Sequence, residues 1–494
     1  MFKLTNEQEN ALNLILNFLN EPYDKEFLLT GCGGAGKTSI IKFFLHQQTK
    51  IKNHQIVIAA PTHKACNVIN NILNNEYTVI TIHKLLGFSK DIDEYGNIVF
   101  KRKFQNVFSN FKLIIIDECS MVKAHMYNKI NDYFEHSKKL YLGDSFQLPP
   151  IKENVSPTFN ICNCTHLSKV MRYSNHILEF NNNLRKNINK KNLQLKKLFQ
   201  NNYINSKDIL YTQNPTDFKQ LINIAFKKER DAKVLCWTNK QVDKYNTSIR
   251  KSLYGKNIQR FCNGEKVLVT NHYVTLDSDG KNSYIPRIFY SNDELIANNV
   301  NIIDYEIKYL SKIVKLDVLN KLNIKSLKLW KFDIVGNLLH HKSLNKIKHY
   351  IFKRKPFIGN EILDIIINYS KKDDDKASCF FFKIHKDSES DFDNILTTYY
   401  NDALNWTKMY SNTPNDNTKT FAKKKWKDYY SIKEHFDAPI TYNYSSTIHR
   451  AQGSQYDYVF IDIEDINKNR KIEERNKLIY VASSRSCKKL ILFE

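Results

Sequence analysis

The sequence has few of the features that mark secreted or membrane proteins. Its 9 cysteines stand singly apart from Cys162 and Cys164, and no CxxC pair occurs, so a disulfide framework is not expected. The segment CNCTH, residues 162–166, lacks the second ligand pair of a zinc site and is predicted to be a short strand. Apolar runs stay well below the roughly 18 residues that span a membrane. These absences argue against small disulfide-bonded folds and membrane-spanning proteins.

The amino-terminal segment does not resemble a secretory signal. ALNLILNFL follows the acidic Glu7 and Glu9 and is interrupted by asparagines, whereas a signal peptide has a basic start and a small-residue cleavage site. We therefore expect a protein that is not secreted, has no membrane partner and works in the cytoplasm, the interior of the host cell.

Acidic residues are scarce relative to basic ones. The chain has 51 Asp and Glu against 75 Lys and Arg, a formal net charge of +24. Solubility alone does not require this excess, so a polyanionic partner is predicted. The alternative is an AT-rich genome that spreads lysine over the surface. Because charge cannot distinguish DNA, RNA and acidic membranes, the motifs must decide.

The pattern of apolar runs predicts two parallel sheets. Up to about residue 185, short apolar runs alternate with amphipathic stretches. The predicted strands of the first sheet are FLLT (27–30), IVIAAP (56–61), KLIIIDE (112–118) and KLYLGD (139–144). Those of the second are KVLCWT (233–238), YVFIDI (458–463), LIYVAS (478–483) and the final KLILFE. Polar clusters end the strands of the first sheet, and strand ends of one parallel sheet converge on one crevice.

Two insertions interrupt these sheets. Gly96 and Asn97 form a turn between alternating residues, which predicts a hairpin between two strands of the first sheet. Residues of about 253–435 separate parts of the second sheet and are expected to form a mixed β and helical accessory domain. This segment includes an acidic patch at residues 373–375.

A phosphate-binding loop is the most specific motif. Gly31, Gly36, Lys37 and Thr38 satisfy G-x-x-x-x-G-K-[ST] between a predicted strand and a helix starting near Lys37. In such a loop backbone N–H groups face an anion, the lysine reaches the outer phosphates and the Thr hydroxyl holds magnesium. Chance alone gives this pattern in roughly a few per cent of chains of this length.

Hydrolysis of a nucleoside triphosphate needs further groups. Asp117 ends an apolar strand and is suited to a second magnesium anchor, while Glu118 is suited to orient or deprotonate the attacking water. Arginines usually stabilise the negative charge that develops on the phosphoryl oxygens during the reaction. The candidates are Arg172 and Arg485, and Arg485 lies just past a predicted strand of the second sheet. Either arginine alone would more often form a surface salt bridge.

Taken in order, these motifs resemble those of the superfamily-one DNA helicases whose members move 5′ to 3′ on single strands, phage enzymes among them. The resemblance covers about half of the chain. It runs through the phosphate loop and ten further segments: LTNEQENALNLI, IAAPTHKACNVI, TIHKLLGF, LIIIDECSM, YLGDSFQLPPI, VMRYSNHILEF, CWTNKQVDKYNTSIRK, WKDYYSIKEHF, STIHRAQGSQYDYVFI and LIYVASSRS. The last departs mildly from the family, which often has Thr before the Arg.

The resemblance implies an α/β fold with two RecA-like parallel-sheet domains. A β-hairpin, the pin, is inserted in the first and a larger mixed accessory domain in the second. The expected ranges are 1–84 and 112–185 for the first motor domain, 85–111 for the pin, 186–252 and 436–494 for the second motor domain, and 253–435 for the accessory domain.

The resemblance also implies roles for individual residues, with ATP and Mg²⁺ as cofactors. Gln8 would read the adenine, Gln147 would sense the terminal phosphate, and Arg172 and Arg485 would be the γ-phosphate arginines. The catalytic residues implied by the resemblance are Lys37, Glu118, Gln147, Arg172 and Arg485. Thr38 would bind the Mg²⁺ ion, and Asp117 would bind it through water. The nucleotide-binding set is Gln8, Gly31, Gly33, Gly34, Ala35, Gly36, Lys37, Thr38 and Ser39.

Three Thr-x-His or Pro-Thr-His segments would line a groove for the DNA backbone. They contain Pro61, Thr62, His63, Thr81, His83, Thr447 and His449. Thr hydroxyls and loop N–H groups bind phosphate without reading bases, although each residue alone would more often be a helix cap or a core residue. The pin would present Phe100 to the first base pair, with Phe104 as second choice, unless Phe100 simply packs the hairpin.

The sequence thus predicts an ATP-dependent helicase with single-stranded and forked duplex DNA as partners. A single-strand binding protein or replication proteins are further candidate partners. The nearest alternative is a single-strand translocase that strips bound proteins or remodels RNA without strong unwinding. More distant alternatives are a kinase or metabolic ATPase indifferent to DNA, and a binding protein whose ATP site only stabilises the fold.

Overall fold

The computed structural model describes residues 4–102, 110–150, 153–169, 175–188, 207–256, 258–271, 273–278, 284–289, 291–335 and 379–494. The chain divides into two compact units. The first contains Met1–Phe88, Arg102–Asn257 and Tyr444–Glu494, and the second contains Ser89–Lys101 and Ile258–Asn443.

The strands of the described residues are numbered in chain order. They are β1 (Glu26–Gly31), β2 (Ile56–Ala60), β3 (Thr78–Thr81), β4 (Phe88–Ile92), β5 (Ile98–Arg102), β6 (Leu113–Ile116), β7 (Lys138–Gly143), β8 (Cys164–Leu167), β9 (Ile209–Thr212), β10 (Ala232–Cys236), β11 (Glu265–Val269), β12 (Tyr273–Ser278), β13 (Tyr284–Phe289), β14 (Glu294–Glu306), β15 (Ser326–Val335), β16 (Cys379–Ile384), β17 (Ile440–Tyr442), β18 (Ser445–Thr447), β19 (Tyr456–Asp462) and β20 (Ser486–Phe493).

The α-helices are numbered in the same way. They are α1 (Asn6–Asn20), α2 (Lys37–Gln47), α3 (His63–Ile72), α4 (Ile82–Leu85), α5 (Ala124–Tyr133), α6 (Asn175–Lys186), α7 (Pro215–Lys227), α8 (Asn239–Tyr254), α9 (Ile307–Leu310), α10 (Leu316–Lys321), α11 (Glu389–Asn412), α12 (Asp416–Phe436), α13 (Ile448–Ala451), α14 (Ile463–Asn467) and α15 (Ile472–Ser483).

The first sheet has the order β3-β2-β6-β7-β1-β8, and its strand pairs are parallel. Its central strands are apolar throughout because both faces are covered. In β2, Ile56, Ile58 and Ala60 belong to one core cluster, while Val57 and Ala59 belong to the cluster on the opposite face. The four strands predicted for this sheet are confirmed, and so is the short strand in CNCTH, which is β8.

The second sheet has the order β18-β10-β19-β20-β9 and is also parallel. The predictions at 233–238 and 458–463 and at the carboxyl terminus are confirmed by β10, β19 and β20. The strand predicted for LIYVAS is wrong, because these residues are the last turns of helix α15. Residues 478–482 are all buried in this helix, and a fully buried helix shows the same unbroken apolar run as a buried strand.

Helix α6 packs with the second sheet. Ile177, Phe180 and Leu184 lie in the same core cluster as Leu235 of β10 and Leu490 of β20. The division expected at residue 185 had assigned this helix to the first motor domain. The apolar residues that recur along α6 indicate a packed face, but periodicity does not say which sheet receives that face.

The second unit contains an antiparallel sheet of order β16-β15-β14-β11-β17. The same unit contains the long helices α11 and α12. Ile432 and Phe436 of α12 pack in one core cluster with Leu329 of β15. The small ribbons β12-β13 and β4-β5 are separate two-stranded sheets. This composition confirms the mixed β and helical accessory domain. The acidic patch at 373–375 lies outside the described residues.

Among the helices of the described residues, none combines the length and the apolar character needed to cross a membrane. Each cysteine whose side chain the structure describes is free of disulfide bonds.

Candidate functional site

The phosphate loop joins β1 to α2 at the carboxyl edge of the first sheet. Gly36, immediately before the helix, has φ 85°, and a Cβ there would lie 2.5 Å from the Gln8 Nε2. Only glycine satisfies both conditions. The first turn of α2 then directs its unpaired N–H groups toward the loop. The loop and this first turn hold the predicted nucleotide-binding residues Gly31, Gly33, Gly34, Ala35, Gly36, Lys37, Thr38 and Ser39.

The Lys37 side chain curls back over this loop. Its Nζ donates hydrogen bonds to the carbonyl oxygens of Gly31 at 2.7 Å and Cys32 at 3.0 Å. The ammonium group is therefore kept beside the loop, where it can meet the outer phosphates of a nucleotide.

Thr38 and Asp117 bring two oxygen ligands together. The Thr38 Oγ1 donates to the Asp117 Oδ2 at 3.3 Å, and the Asp117 Oδ1 accepts from the Glu118 N–H at 2.8 Å. Burial raises the pKa of Asp117, and the Lys37 ammonium opposes that rise. Oxygen ligands of this kind suit Mg²⁺, which keeps several waters. The residues assigned to the metal are therefore adjacent and chemically suited to it.

Glu118 is held in an unusual conformation beside this pair. Its φ of 52° and ψ of 42° lie in the left-handed region, which costs a non-glycine residue free energy and is enriched at functional sites. Burial and then Asp117 raise the pKa of the Glu118 carboxyl, while Arg485 and Lys37 act to lower it. A carboxyl with a raised pKa is a better proton acceptor near neutral pH.

Gln8 lies against the phosphate loop. Its Nε2 donates to the Ala35 carbonyl oxygen at 3.0 Å, and its Oε1 accepts from the Thr5 N–H at 3.0 Å in a capping box that starts α1. The side chain is buried. The structure therefore places Gln8 at the loop, where an amide could reach a base that extends from the phosphates.

Arg485 comes from the second sheet. It lies between the end of α15 and the start of β20. It was expected to follow a strand, but the preceding LIYVAS is helical. Its side chain is only 4% exposed. The Nε donates to the Val481 carbonyl oxygen at 2.9 Å and the Nη2 to the Ser484 Oγ at 2.8 Å. Its Nη1 donates to the Ser454 carbonyl oxygen at 3.4 Å, and its charge acts to lower the pKa of Glu118 in the first sheet domain. Arg172 lies outside the described residues.

The two sheet domains also meet through side-chain contacts that the sequence does not predict. The Gln147 Oε1 accepts from the Gln452 Nε2 at 2.9 Å. The Asp144 Oδ2 accepts from the Gly33 N–H at 3.2 Å and from the Tyr480 hydroxyl at 2.7 Å. Asp144 was visible as the end of the strand in KLYLGD, but only the fold identifies its partners.

Three strand-to-helix junctions contain the residues expected to bind DNA. At the first junction, Pro61 and Thr62 follow β2 and His63 begins α3. At the second, Thr81 ends β3 and His83 lies in α4. At the third, Thr447 ends β18 and His449 lies in α13. The Thr62 Oγ1 accepts from the Ala65 N–H, and the Thr81 Oγ1 from the Lys84 N–H. Both residues are therefore helix caps, yet each hydroxyl retains a hydrogen that can be donated to a phosphate.

Two histidines of this set, His83 and His449, have lowered pKa values that favour the neutral imidazole. Burial lowers the pKa of His83, as do His125 and Lys123, and burial lowers the pKa of His449. A sugar-phosphate backbone would therefore meet hydroxyl and N–H donors here instead of imidazolium charges.

The hairpin β4-β5 is docked on helices of its own unit. The Trp426 ring of α12 covers Gly96, and the Tyr430 hydroxyl donates to the Gly96 carbonyl oxygen at 3.1 Å. The Thr407 Oγ1 of α11 donates to the Glu94 carbonyl oxygen at 2.8 Å. Lysines of α12 pair with hairpin carboxylates, Lys427 with Asp91 at 3.0 Å and Lys423 with Glu94 at 3.5 Å.

This docking fixes the turn and leaves one strand accessible. Phe100 is 55% exposed and Ile98 is 50% exposed, and residues two apart in a strand share a face. Phe104 lies outside the described residues. The role of Phe100 at the fork stays a prediction, and Ile98 was not anticipated.

Two family models match the chain. An AAA domain matches residues 19–153, and a UvrD-like helicase C-terminal domain matches residues 442–493. The first contains the phosphate loop and Asp117, and the second contains Arg485.

Two relatives align along almost the whole chain. An uncharacterised protein of Acanthamoeba polyphaga mimivirus is 28% identical over 535 residues, covering 98% of each chain. The ATP-dependent DNA helicase Dda of phage T4 is 23% identical over 500 residues, covering 98% of this chain and 97% of its own. A crystal structure of Bacteroides Pif1 bound to single-stranded DNA has 16% identity and a TM-score of 0.47, covering 100% of this chain and 93% of that chain. Because that structural likeness is low, the fold class rests on the sheets described above.

Proposed function

We propose that this chain, which belongs to the superfamily-one helicases, is an ATP-dependent DNA helicase that moves 5′ to 3′ along a single strand and separates duplex DNA at a fork. The observation that carries the proposal is that Glu118 and Arg485 lie at one short segment of the second sheet domain: a Cβ on Gly453 would lie 4.0 Å from the Glu118 Oε1, and the Arg485 Nη1 donates to the Ser454 carbonyl oxygen at 3.4 Å. A carboxylate suited to activate water lies on one sheet, and a buried arginine from the other sheet acts on it electrostatically.

The nucleotide site supports ATP hydrolysis with magnesium. The loop N–H groups and Lys37 would hold the phosphates, Thr38 and Asp117 would hold Mg²⁺ with its waters, and Mg²⁺ would supply charge to the phosphoryl oxygens. Glu118 would orient or deprotonate the attacking water, and Gln147 and Arg485 would contact the terminal phosphate. Because Arg485 comes from the second sheet, hydrolysis depends on how closely the two sheets approach.

The strand-binding junctions lie on both sheets. Thr62 and Thr81 belong to the first, and Thr447 belongs to the second. If the sheets approach and separate during each ATP cycle, the two groups of phosphate donors alternate in their hold on the strand. Directional stepping on single-stranded DNA follows from that alternation.

The pin supports strand separation. Its turn is held by Trp426 and Tyr430, so the exposed apolar pair Ile98 and Phe100 is presented on a supported ribbon. An aromatic ring can stack on the base exposed when the first pair opens. Forked duplex DNA is therefore the proposed substrate. A single-strand binding protein or replication protein inside the host cell is the proposed partner.

The polarity is tested by strand displacement on duplexes with a single 5′ or 3′ tail, in the presence of ATP and Mg²⁺. The proposal predicts displacement from the 5′-tailed duplex. Displacement solely from the 3′-tailed duplex would contradict the stated direction.

Phe100→Ala separates unwinding from translocation without unwinding. The helicase account predicts a loss of fork opening with DNA-stimulated ATP hydrolysis retained. Phe421→Ala is the matched control, since Phe421 is a 46% exposed phenylalanine of the same unit. Unimpaired unwinding by Phe100→Ala would favour the alternative, a translocase that strips proteins or remodels RNA.

A further inference from the structure

A tyrosine of the second sheet domain is hydrogen-bonded, through one carboxylate, to the phosphate loop of the first. Asp144 follows β7 and is 1% exposed. Its Oδ2 accepts from the Gly33 N–H of the loop at 3.2 Å and from the Tyr480 hydroxyl at 2.7 Å. Its Oδ1 accepts from the Phe146 N–H at 3.0 Å, which fixes the orientation of the carboxylate.

Tyr480 belongs to the second domain by its packing. It lies in α15 and is 1% exposed, within the core cluster that also contains Leu235 and Leu490 of the second sheet. Burial and the adjacent Asp144 raise the pKa of the phenol well above its usual value. The hydroxyl therefore remains a donor at physiological pH.

The same helix leads directly to the arginine of the nucleotide site. Arg485 lies five residues after Tyr480, and its Nε donates to the Val481 carbonyl oxygen at 2.9 Å. The Ser484 N–H donates to the Tyr480 carbonyl oxygen at 3.0 Å. A movement of the end of α15 therefore displaces the phenol and the guanidinium together.

A second contact from the same core reaches the adjacent loop residue. Arg185 of α6 donates to the Cys32 thiol, and its guanidinium lies 4.7 Å from the centre of the Phe146 ring. Helices α6 and α15 are themselves joined by the bond from the Ser483 hydroxyl to the Asn181 Oδ1 at 2.5 Å. Helix α6 of the second core thus contacts the phosphate loop directly at Cys32, and helix α15 reaches the next residue, Gly33, through Asp144.

We infer that Tyr480 is a positioning residue that couples the approach of Arg485 to the conformation of the phosphate loop, through Asp144 and the Gly33 N–H. The inference rests on the proposed function, because it assigns the coupling to the same ATP site. Formation of the Tyr480–Asp144 bond accompanies the arrival of Arg485 at the nucleotide. Its loss makes the closed arrangement less populated without removing any group that contacts ATP.

The test compares Tyr480→Phe with Tyr245→Phe. Both changes remove one hydroxyl from a buried tyrosine and keep the ring. Tyr245 donates to the Asp462 Oδ2 at 3.0 Å. This is the same type of hydrogen bond, but both of its partners belong to the second sheet domain. Each variant is measured for ATP affinity without DNA, and for kcat and KM of ATP hydrolysis with saturating single-stranded DNA.

For Tyr480→Phe we expect a decrease in DNA-stimulated kcat on the order of tenfold, the effect of one lost hydrogen bond to a charged group on the closing equilibrium. ATP affinity without DNA should be unchanged. Tyr245→Phe should retain the parental kcat even if its thermal stability falls.

Parental kcat in Tyr480→Phe, or equal losses in the two variants, would overturn the coupling role while leaving the helicase proposal intact. Hydrolysis by the parental protein that single-stranded DNA does not stimulate would contradict the proposed function itself, and the coupling with it.

Discussion

The indole ring of Trp426 lies directly over Gly96 at the turn of the pin. A Cβ on Gly96 would approach the ring atoms to 2.7 Å, and the residue has φ 84°. The glycine is therefore required twice, by its backbone conformation and by the close approach of the ring. The turn and helix α12 are thereby joined into one supported element.

Gly96→Ala should impair unwinding more than translocation. The substitution forces the hairpin away from Trp426, so the supported ribbon becomes mobile, while the ATP site in the other unit is untouched. We expect reduced displacement of forked DNA with single-strand-stimulated ATP hydrolysis retained.

Gly264→Ala is the matched control, because Gly264 has φ 76° in the same unit and nothing lies within 4 Å of its added Cβ. Both variants carry the left-handed strain of roughly 1 kcal/mol, but only Gly96→Ala meets the ring. Equal unwinding by the two variants would contradict the supporting role of Trp426.

Thr81→Val should weaken binding of single-stranded DNA. It removes the hydroxyl that can donate to a phosphate, and we expect a loss of affinity of roughly tenfold, measured by fluorescence anisotropy at fixed salt. Thr81→Ser keeps the hydroxyl and should therefore bind single-stranded DNA as tightly as the parental protein does.

Thr238→Val controls for the lost helix cap. Thr238 also caps a helix, but its hydroxyl is already used by Asp465 at 2.9 Å. This variant should lose stability and keep its affinity for the strand. If Thr238→Val weakens binding as much as Thr81→Val does, the hydroxyls are structural only.

His435 should make the accessory unit sensitive to acid. Burial lowers the pKa of His435 from 6.5 to about 4, so the unfolded chain binds a proton at a higher pH than the folded one. The free energy of unfolding is therefore undiminished above pH 6.5 and decreases as the pH falls toward 4, by on the order of 3 kcal/mol.

Hydrogen exchange in α12 between pH 7 and 4 measures this loss. His435→Gln should show a shallower decline than the parental protein, whatever its stability at neutral pH. His54→Gln, at an exposed position, should leave the decline unchanged. An identical pH dependence for His435→Gln and the parental protein would show that this histidine is not responsible.

Lys37→Ala should abolish ATP hydrolysis while much of the strand binding survives. The substitution removes the charge that would meet the outer phosphates, whereas the strand-binding threonines are unaffected. Lys42→Ala, on the same helix, should hydrolyse ATP normally. Continued hydrolysis by Lys37→Ala would refute the role of Lys37.

The sequence predicted local structure best where one motif combines a strand, a turn and a helix. The phosphate loop is formed by residues adjacent in sequence, so Gly36 and Lys37 could be placed before any fold was known. LIYVAS was misread because burial on all sides gives a helix and a strand the same apolar run. Arg485 therefore follows the end of a helix and not a strand.

Contacts between distant segments could not be predicted in the same way. Tyr480 and Asp144 are separated by 336 residues, and no motif near either residue predicts that the two are in contact. The packing of α6 on the second core is similar, because an amphipathic helix shows that it has an apolar face but not which sheet covers it. The proposed roles of Gln8, Gln147 and the DNA-contacting residues remain predictions that the variants above address.

In the proposed mechanism, Arg485 of the second sheet domain completes the ATP site of the first. The test is the kcat of ATP hydrolysis of Arg485→Ala at saturating ATP and single-stranded DNA, with Arg475→Ala in the preceding helix α15 as control. The account predicts a fall of roughly 10³-fold with ATP binding retained, and parental activity in the control. A parental kcat in Arg485→Ala would contradict the account.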